Sequence, residues 1–67
     1  MEDIRKFVGN NIRRIREEKK ISQEQLAFLS EVHRTYISQV ERGETNITIV
    51  TLQRIAIALE IDIKGLL

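Results

Sequence analysis

The sequence predicts an all-α fold, a compact arrangement of five short helices around one small core. Apolar residues recur at three- and four-residue steps along most of the chain, the spacing of a helix with one buried face. Ser22, Thr48 and Asp62 stand just ahead of such periodic runs, where helix N-caps are needed. Proline is absent and glycine occurs only three times, so little besides these caps and the glycines punctuates the chain.

The stretch from Ser22 to Gly43 organises the rest. Ser22 followed by Gln25 forms a capping box and starts a helix at Gln23. Leu26, Leu29 and Ser30 share one side of it, with Ala27 at the margin, before Glu31-Val32-His33 breaks the period. A third helix is expected from about Arg34 to Gly43, where a residue without a Cβ takes the left-handed conformation that closes a helix. Ahead of this pair, Ile4, Val8, Ile12 and Ile15 place a first helix over about Asp3 to Lys19, its stripe inward, with Gly9 and Asn10 weakening it locally. After it, residues Gly43 to Ile47 form a loop. Thr48 then caps a fourth helix reaching Leu59 or Glu60, with Ile49, Leu52, Ile55, Ala56 and Leu59 inward, and Asp62 caps a short fifth helix ending at Leu67.

Sixty-seven residues, 42% hydrophobic and 31% charged, fit one globular domain over 1–67 whose modest core favours a partner. The absence of cysteine excludes disulfides, thiolate metal sites and thiol nucleophiles. His33, the single histidine, has no clustered ligands or carboxylates around it in sequence. It is expected to cap the third helix or touch a phosphate rather than hold a metal or act as a base. No paired-carboxylate signature or phosphate-cradling loop is present, so the chain reads as no enzyme, without cofactor, metal or small-molecule ligand. The longest apolar run is too short for a bilayer and MEDIRKF lacks the plan of a signal peptide, so no membrane partner is expected and the expected location is cytoplasmic. A net charge of +1 is weak evidence for nucleic acid, although Arg5, Lys6, Arg13, Arg14, Arg16, Lys19 and Lys20 crowd the first part of the chain, where they read as a solvated face.

The third helix carries the strongest chemical signal. On a 3.6-residue turn, Ile37, Val40 and Glu41 point one way, while Thr35, Ser38, Gln39 and Arg42 point the other, flanked by Arg34 and Tyr36. Arg bonds guanine in a bidentate manner, Gln does so with adenine, and Thr and Ser reach several base edges, so this face suits the DNA major groove. The competing reading is a helical protein-interaction module whose polar face is merely solvated; salt-dependent DNA binding separates the two. Phe28, on the polar side of the second helix, is expected partly exposed, covering aliphatic stems. Val50 and Ile57 lie on the outer side of the fourth helix with Arg54 between them. Together with Ile61, Ile63 and Leu67 they exceed what one small core can hide, which predicts a symmetric homodimer through the C-terminal third.

The blocks SQEQLA, YISQVERG and TLQRIAIALEIDIKGLL, in this order and spacing, resemble the helix-turn-helix domain of the phage repressor and Cro type, over about Val8 to Leu67. The resemblance implies a lambda-repressor-like DNA-binding domain that regulates transcription from a double-stranded DNA operator as a homodimer. The narrower run HRTYIS followed by ERGETN is similar to restriction-modification controller proteins, while a phage repressor and an antitoxin-like regulator remain compatible with the wider pattern. Helix geometry and the resemblance together assign base contacts to Arg34, Thr35, Ser38 and Gln39, and DNA backbone contacts to Gln23, Tyr36, Arg42, Thr45 and Asn46. The family pattern also implies a partly buried structural ion pair between Arg16 and Glu41. Lys20 and Glu31 stand where the family usually has Gly to permit a positive φ. The same fold is expected, with the angle between the motif's two helices the quantity such departures affect.

Overall fold

The computed structural model describes residues 3–67; Met1 and Glu2, part of the N-terminal stretch read above for a leader, lie outside the described residues. Among the described residues there are four α-helices, α1 (Ile4–Glu18), α2 (Gln23–Ser30), α3 (Arg34–Glu41) and α4 (Ile49–Ala58), followed by a 3-10 turn, Ile63–Leu66. The expected fifth helix is therefore this single tight turn. Asp62 caps it through Lys64 N, but only four residues follow in helical geometry, enough for 3-10 hydrogen bonds and too few for an α-helical ladder.

A side chain opens every α-helix. Asp3, Ser22, His33 and Thr48 accept from the backbone N–H of Arg5, Gln25, Thr35 and Thr51 respectively, each relieving one of the donors that a helix start leaves unpaired. At Ser22 the bond is reciprocal, since the Gln25 side-chain oxygen accepts from Ser22 N at 2.8 Å. His33 caps through Nδ1, which accepts from Thr35 N at 3.0 Å.

All four α-helices also close in the same way. Lys20, Glu31, Gly43 and Glu60 have φ of 58°, 61°, 71° and 59°. In each case the left-handed residue donates to the carbonyl three residues back (Glu17, Phe28, Val40, Ile57), and the next residue donates to the carbonyl five residues back (Arg16, Ala27, Gln39, Ala56). This paired closure is the Schellman motif. Gly43 takes the positive φ its type favours, Lys20 and Glu31 adopt it without glycine, and Glu60 does so with no glycine-like signal in the sequence.

The core is formed by Ile12, Leu26, Ile37, Ile55, Leu59 and Leu66, all fully buried, with Val8, Ile15, Val40, Leu52 and Ala56 around them. Burying such aliphatic side chains is worth about 1.5–3 kcal/mol each. α3 packs between α1 and α2, α2 rests on α4, and the 3-10 turn closes against α4 and α1, where Asn11 Nδ2 donates to Leu66 O at 3.2 Å. Three residues expected inside are outside: Ile4, Leu29 and Ile49 are 63%, 54% and 79% exposed. Ile4 and Ile49 occupy the first turns of α1 and α4, which project beyond the core. Leu29 borders an open groove with Ile21 and Phe28, and the buried residues of α2 are Leu26, Ala27 and Ser30.

Candidate nucleic-acid interface

α2 and α3 are joined by the three residues Glu31-Val32-His33, and α3 is turned so that one side enters the core and the other faces out. The core side carries Ile37, Val40 and Glu41. On the outer side Arg34, Thr35 and Arg42 are exposed, while Ser38, Gln39 and Tyr36 are half-buried, Tyr36 resting on the core. Gln23, Arg34, Thr35 and Ser38 line one shallow polar depression, so the start of α2 adjoins the first two turns of α3.

Behind this face a charge network fixes how α3 sits. Arg16 Nε donates to Glu41 Oε2 at 2.6 Å and Nη2 donates to Glu41 Oε1 at 3.1 Å, a bidentate pair; Arg16 Nη1 reaches Ile21 O at 2.8 Å. The Glu41 side chain is 2% exposed and that of Arg16 is 12%. Glu41's hydrogen bonds raise the Arg16 pKa above its ordinary value, against a smaller opposing effect of burial, so the guanidinium stays charged. Gln23 Nε2 completes the network by donating to Glu41 Oε1 at 3.0 Å. The amide nitrogen carries two hydrogens, and Glu41 takes one, leaving the other for an acceptor at the surface.

Gly9 supports the same junction. A Cβ there would collide with the Val40 carbonyl oxygen and lie 3.0 Å from that of Glu41, so α1 crosses the end of α3 at backbone contact distance. Sequence reasoning treats Gly9 only as a weak point in a helix. Its position one turn before Ile12 and two turns before Arg16, on the inward stripe, is the signal of a close crossing.

The remaining candidates are spread around the motif. Arg42 Nη1 donates to Ser38 Oγ, and Arg42 Nη2 lies 3.0 Å from Glu44 Oε1. Thr45 is half-buried, its hydroxyl donating to Asn46 O at 3.4 Å. Asn46 borders a separate, mainly apolar groove with Ile4, Val8, Ile47, Leu52 and Leu67. Of the residues assigned to a dimer contact, Val50, Ile57 and Leu67 are 64%, 65% and 60% exposed, whereas Ile61 and Ile63 are half-buried against their own core. Phe28 is almost fully exposed beside Leu29. Among the described residues no group of His, Cys, Asp or Glu could hold a metal, and no helix is long and apolar enough to cross a membrane.

Two short helices at a tight turn, the second presenting a polar outer face and locked to α1 by a buried charge pair, define a helix-turn-helix unit. Residues 12–66 match the helix-turn-helix family model, and the chain belongs to this family of DNA-binding transcription regulators. It is 46% identical to the control protein C.SmaI of Serratia marcescens, over 97% of this chain and 77% of that protein, and 44% identical to C.BamHI of Bacillus amyloliquefaciens, over 97% and 82%. The crystal structure of the restriction-modification controller protein C.AhdI from Aeromonas hydrophila superposes with a TM-score of 0.92 at 40% identity, covering 94% of this chain and 96% of that one.

Proposed function

We propose that the chain binds an operator as a homodimer, with α3 of each copy in the major groove, and that it serves as a restriction-modification controller. The observation that carries this reading is that Arg34, Thr35 and Ser38 line one surface depression with Gln23 at the junction of α2 and α3. Arg34, Thr35, Ser38 and Gln39 read base edges. Gln23, with one amide hydrogen left over and the positive end of the α2 dipole behind it, holds a phosphate together with Tyr36, Arg42, Thr45 and Asn46. Val50, Ile57 and Leu67 supply the exposed part of a self-complementary contact, and Ile61 and Ile63 form its floor. Two joined copies then read half-sites about 34 Å apart, or a near multiple. The similarity to C.SmaI and C.BamHI supports the narrower role.

The test is selection of bound sites from random DNA, followed by binding of variants to the selected and a scrambled site across salt concentrations. Arg34→Ala is expected to cost about 1–3 kcal/mol at the selected site and to relax preference at one base pair. A loss equal on both sites would reassign Arg34 to phosphate. Ile57→Glu is expected to remain folded, sediment as a monomer and bind the selected site much more weakly. A wild-type chain that is monomeric even on the operator would overturn the dimer.

A further inference from the structure

The residue after each left-handed helix end is apolar and half-buried at three ends, namely Ile21, Val32 and Ile61, all packed against the core. At the end of α3 it is Glu44, exposed. Its backbone is fixed by the closing bond from Glu44 N to Gln39 O at 3.0 Å, and Gly43 before it is buried, so the carboxylate is displayed at a defined place on the rim of the α3 face. There Glu44 Oε1 lies 3.0 Å from Arg42 Nη2, while Arg42 Nη1 donates to Ser38 Oγ. Arg34, on the same face, has no ion-pair partner among the described residues. The two arginines of the recognition face are thus in different states: one open, one neutralised.

We propose that Glu44 is an internal stand-in for a DNA phosphate, which holds Arg42 until a real phosphate displaces it and thereby restrains binding to DNA of any sequence. The proposal rests on the DNA-binding reading above. A carboxylate and a phosphate both offer anionic oxygens to a guanidinium, so the two compete for the same donors. While Glu44 holds Arg42, the Ser38 oxygen is also occupied as an acceptor; when Arg42 swings to phosphate, that oxygen is released toward the bases. Releasing Glu44 beside the duplex draws back a cation, so the protein sheds fewer counterions than its phosphate contacts alone would release.

The experiment is a double-mutant cycle of Glu44→Gln and Arg42→Ala, read as affinity for selected and scrambled duplex DNA over a salt series, with thermal unfolding as a check that the fold is intact. Glu44→Gln is expected to tighten binding to both duplexes by roughly two- to fivefold, the range of an exposed ion pair. It should also steepen the slope of log K against log salt by up to about 0.9. In the Arg42→Ala background the same change is expected to give little gain. An equal gain in both backgrounds would mean that Glu44 acts by repelling DNA without holding Arg42, and would overturn the proposal. Failure of wild type and all variants to bind any duplex in a salt-dependent way would instead overturn the DNA-binding reading itself.

Discussion

The end of α3 and the ends of α1, α2 and α4 have the same backbone closure and differ in what backs it up. At the other three ends an isoleucine or valine follows the left-handed residue and folds down onto the core. At α3 that place is taken by exposed Glu44, and the contact with the core is made one turn earlier, by buried Glu41 on Arg16 and by the α3 carbonyls on Gly9. Apolar contact is non-directional and tolerates small rotations, whereas a bidentate guanidinium–carboxylate pair has a fixed plane and short donor–acceptor distances. The helix whose orientation decides what its outer face can meet is therefore the one held by directional bonds.

The largest effect is expected from breaking those bonds. Glu41→Ala leaves the Arg16 charge partly buried and unpaired and should destabilise the fold by about 3–5 kcal/mol, a large share of the stability of a small domain. Arg16→Ala should do the same to Glu41. Because either change removes the same interaction, the double variant is expected to lose less than the sum of the singles in urea unfolding. Additive losses would show that the pair does not couple and would remove the distinction between α3 and the other helix ends.

Next in size is Gly43→Ala. The residue has φ +71°, and an added Cβ would lie 2.9 Å from Lys6 Cα and 3.0 Å from Lys6 N, backbone atoms that cannot rotate away. Left-handed strain and overpacking together are expected to cost about 2–4 kcal/mol. Glu60→Ala, with a Cβ before and after the change and the same left-handed backbone, is the control and should be neutral or, through loss of an anion at a helix C-terminus, stabilising by up to about 1 kcal/mol. Similar urea midpoints for the two variants would mean that α1 yields at Lys6, so that the glycine at the end of α3 is a convenience.

The helix starts and most of the core were legible in the sequence because both depend on local chemistry: a hydroxyl, carboxylate or imidazole ahead of a periodic run, and apolar spacing within it. The outer side of α3 was legible for the same reason, since which residues share a face follows from the period. Ile4, Leu29 and Ile49 were misplaced because periodicity says which residues share a side and nothing about how far neighbouring elements extend over it. The Gly9 crossing was missed because a backbone contact leaves no side-chain pattern. Glu60 was missed because its left-handed conformation is imposed by Ile61, which gains burial only if the chain reverses there. The separate places of Gln23 and Asn46, one on the α3 face and one beside the α1 groove, depend on tertiary packing that spacing does not encode.

The smallest effect sharpens the comparison at the two ends where the family pattern has glycine. Lys20 and Glu31 hold φ of 58° and 61°, so replacing either with Gly relieves roughly 1 kcal/mol of left-handed strain, while the freer unfolded chain takes back about 0.5–1. Those terms nearly cancel and are common to both sites, which leaves the charge to decide. Each residue sits at the negative end of a helix dipole, where a cation is favourable and an anion unfavourable by about 0.3–1 kcal/mol. Glu31→Gly removes an unfavourable interaction and is expected to stabilise by about 0.5–1 kcal/mol; Lys20→Gly removes a favourable one and should be neutral or slightly destabilising. Urea unfolding at low salt should separate the two variants, and the gap should narrow in 1 M salt, where screening acts over about 3 Å. Equal shifts that are indifferent to salt would show that backbone strain alone governs these ends, and that the charge at a helix terminus in this fold contributes nothing measurable.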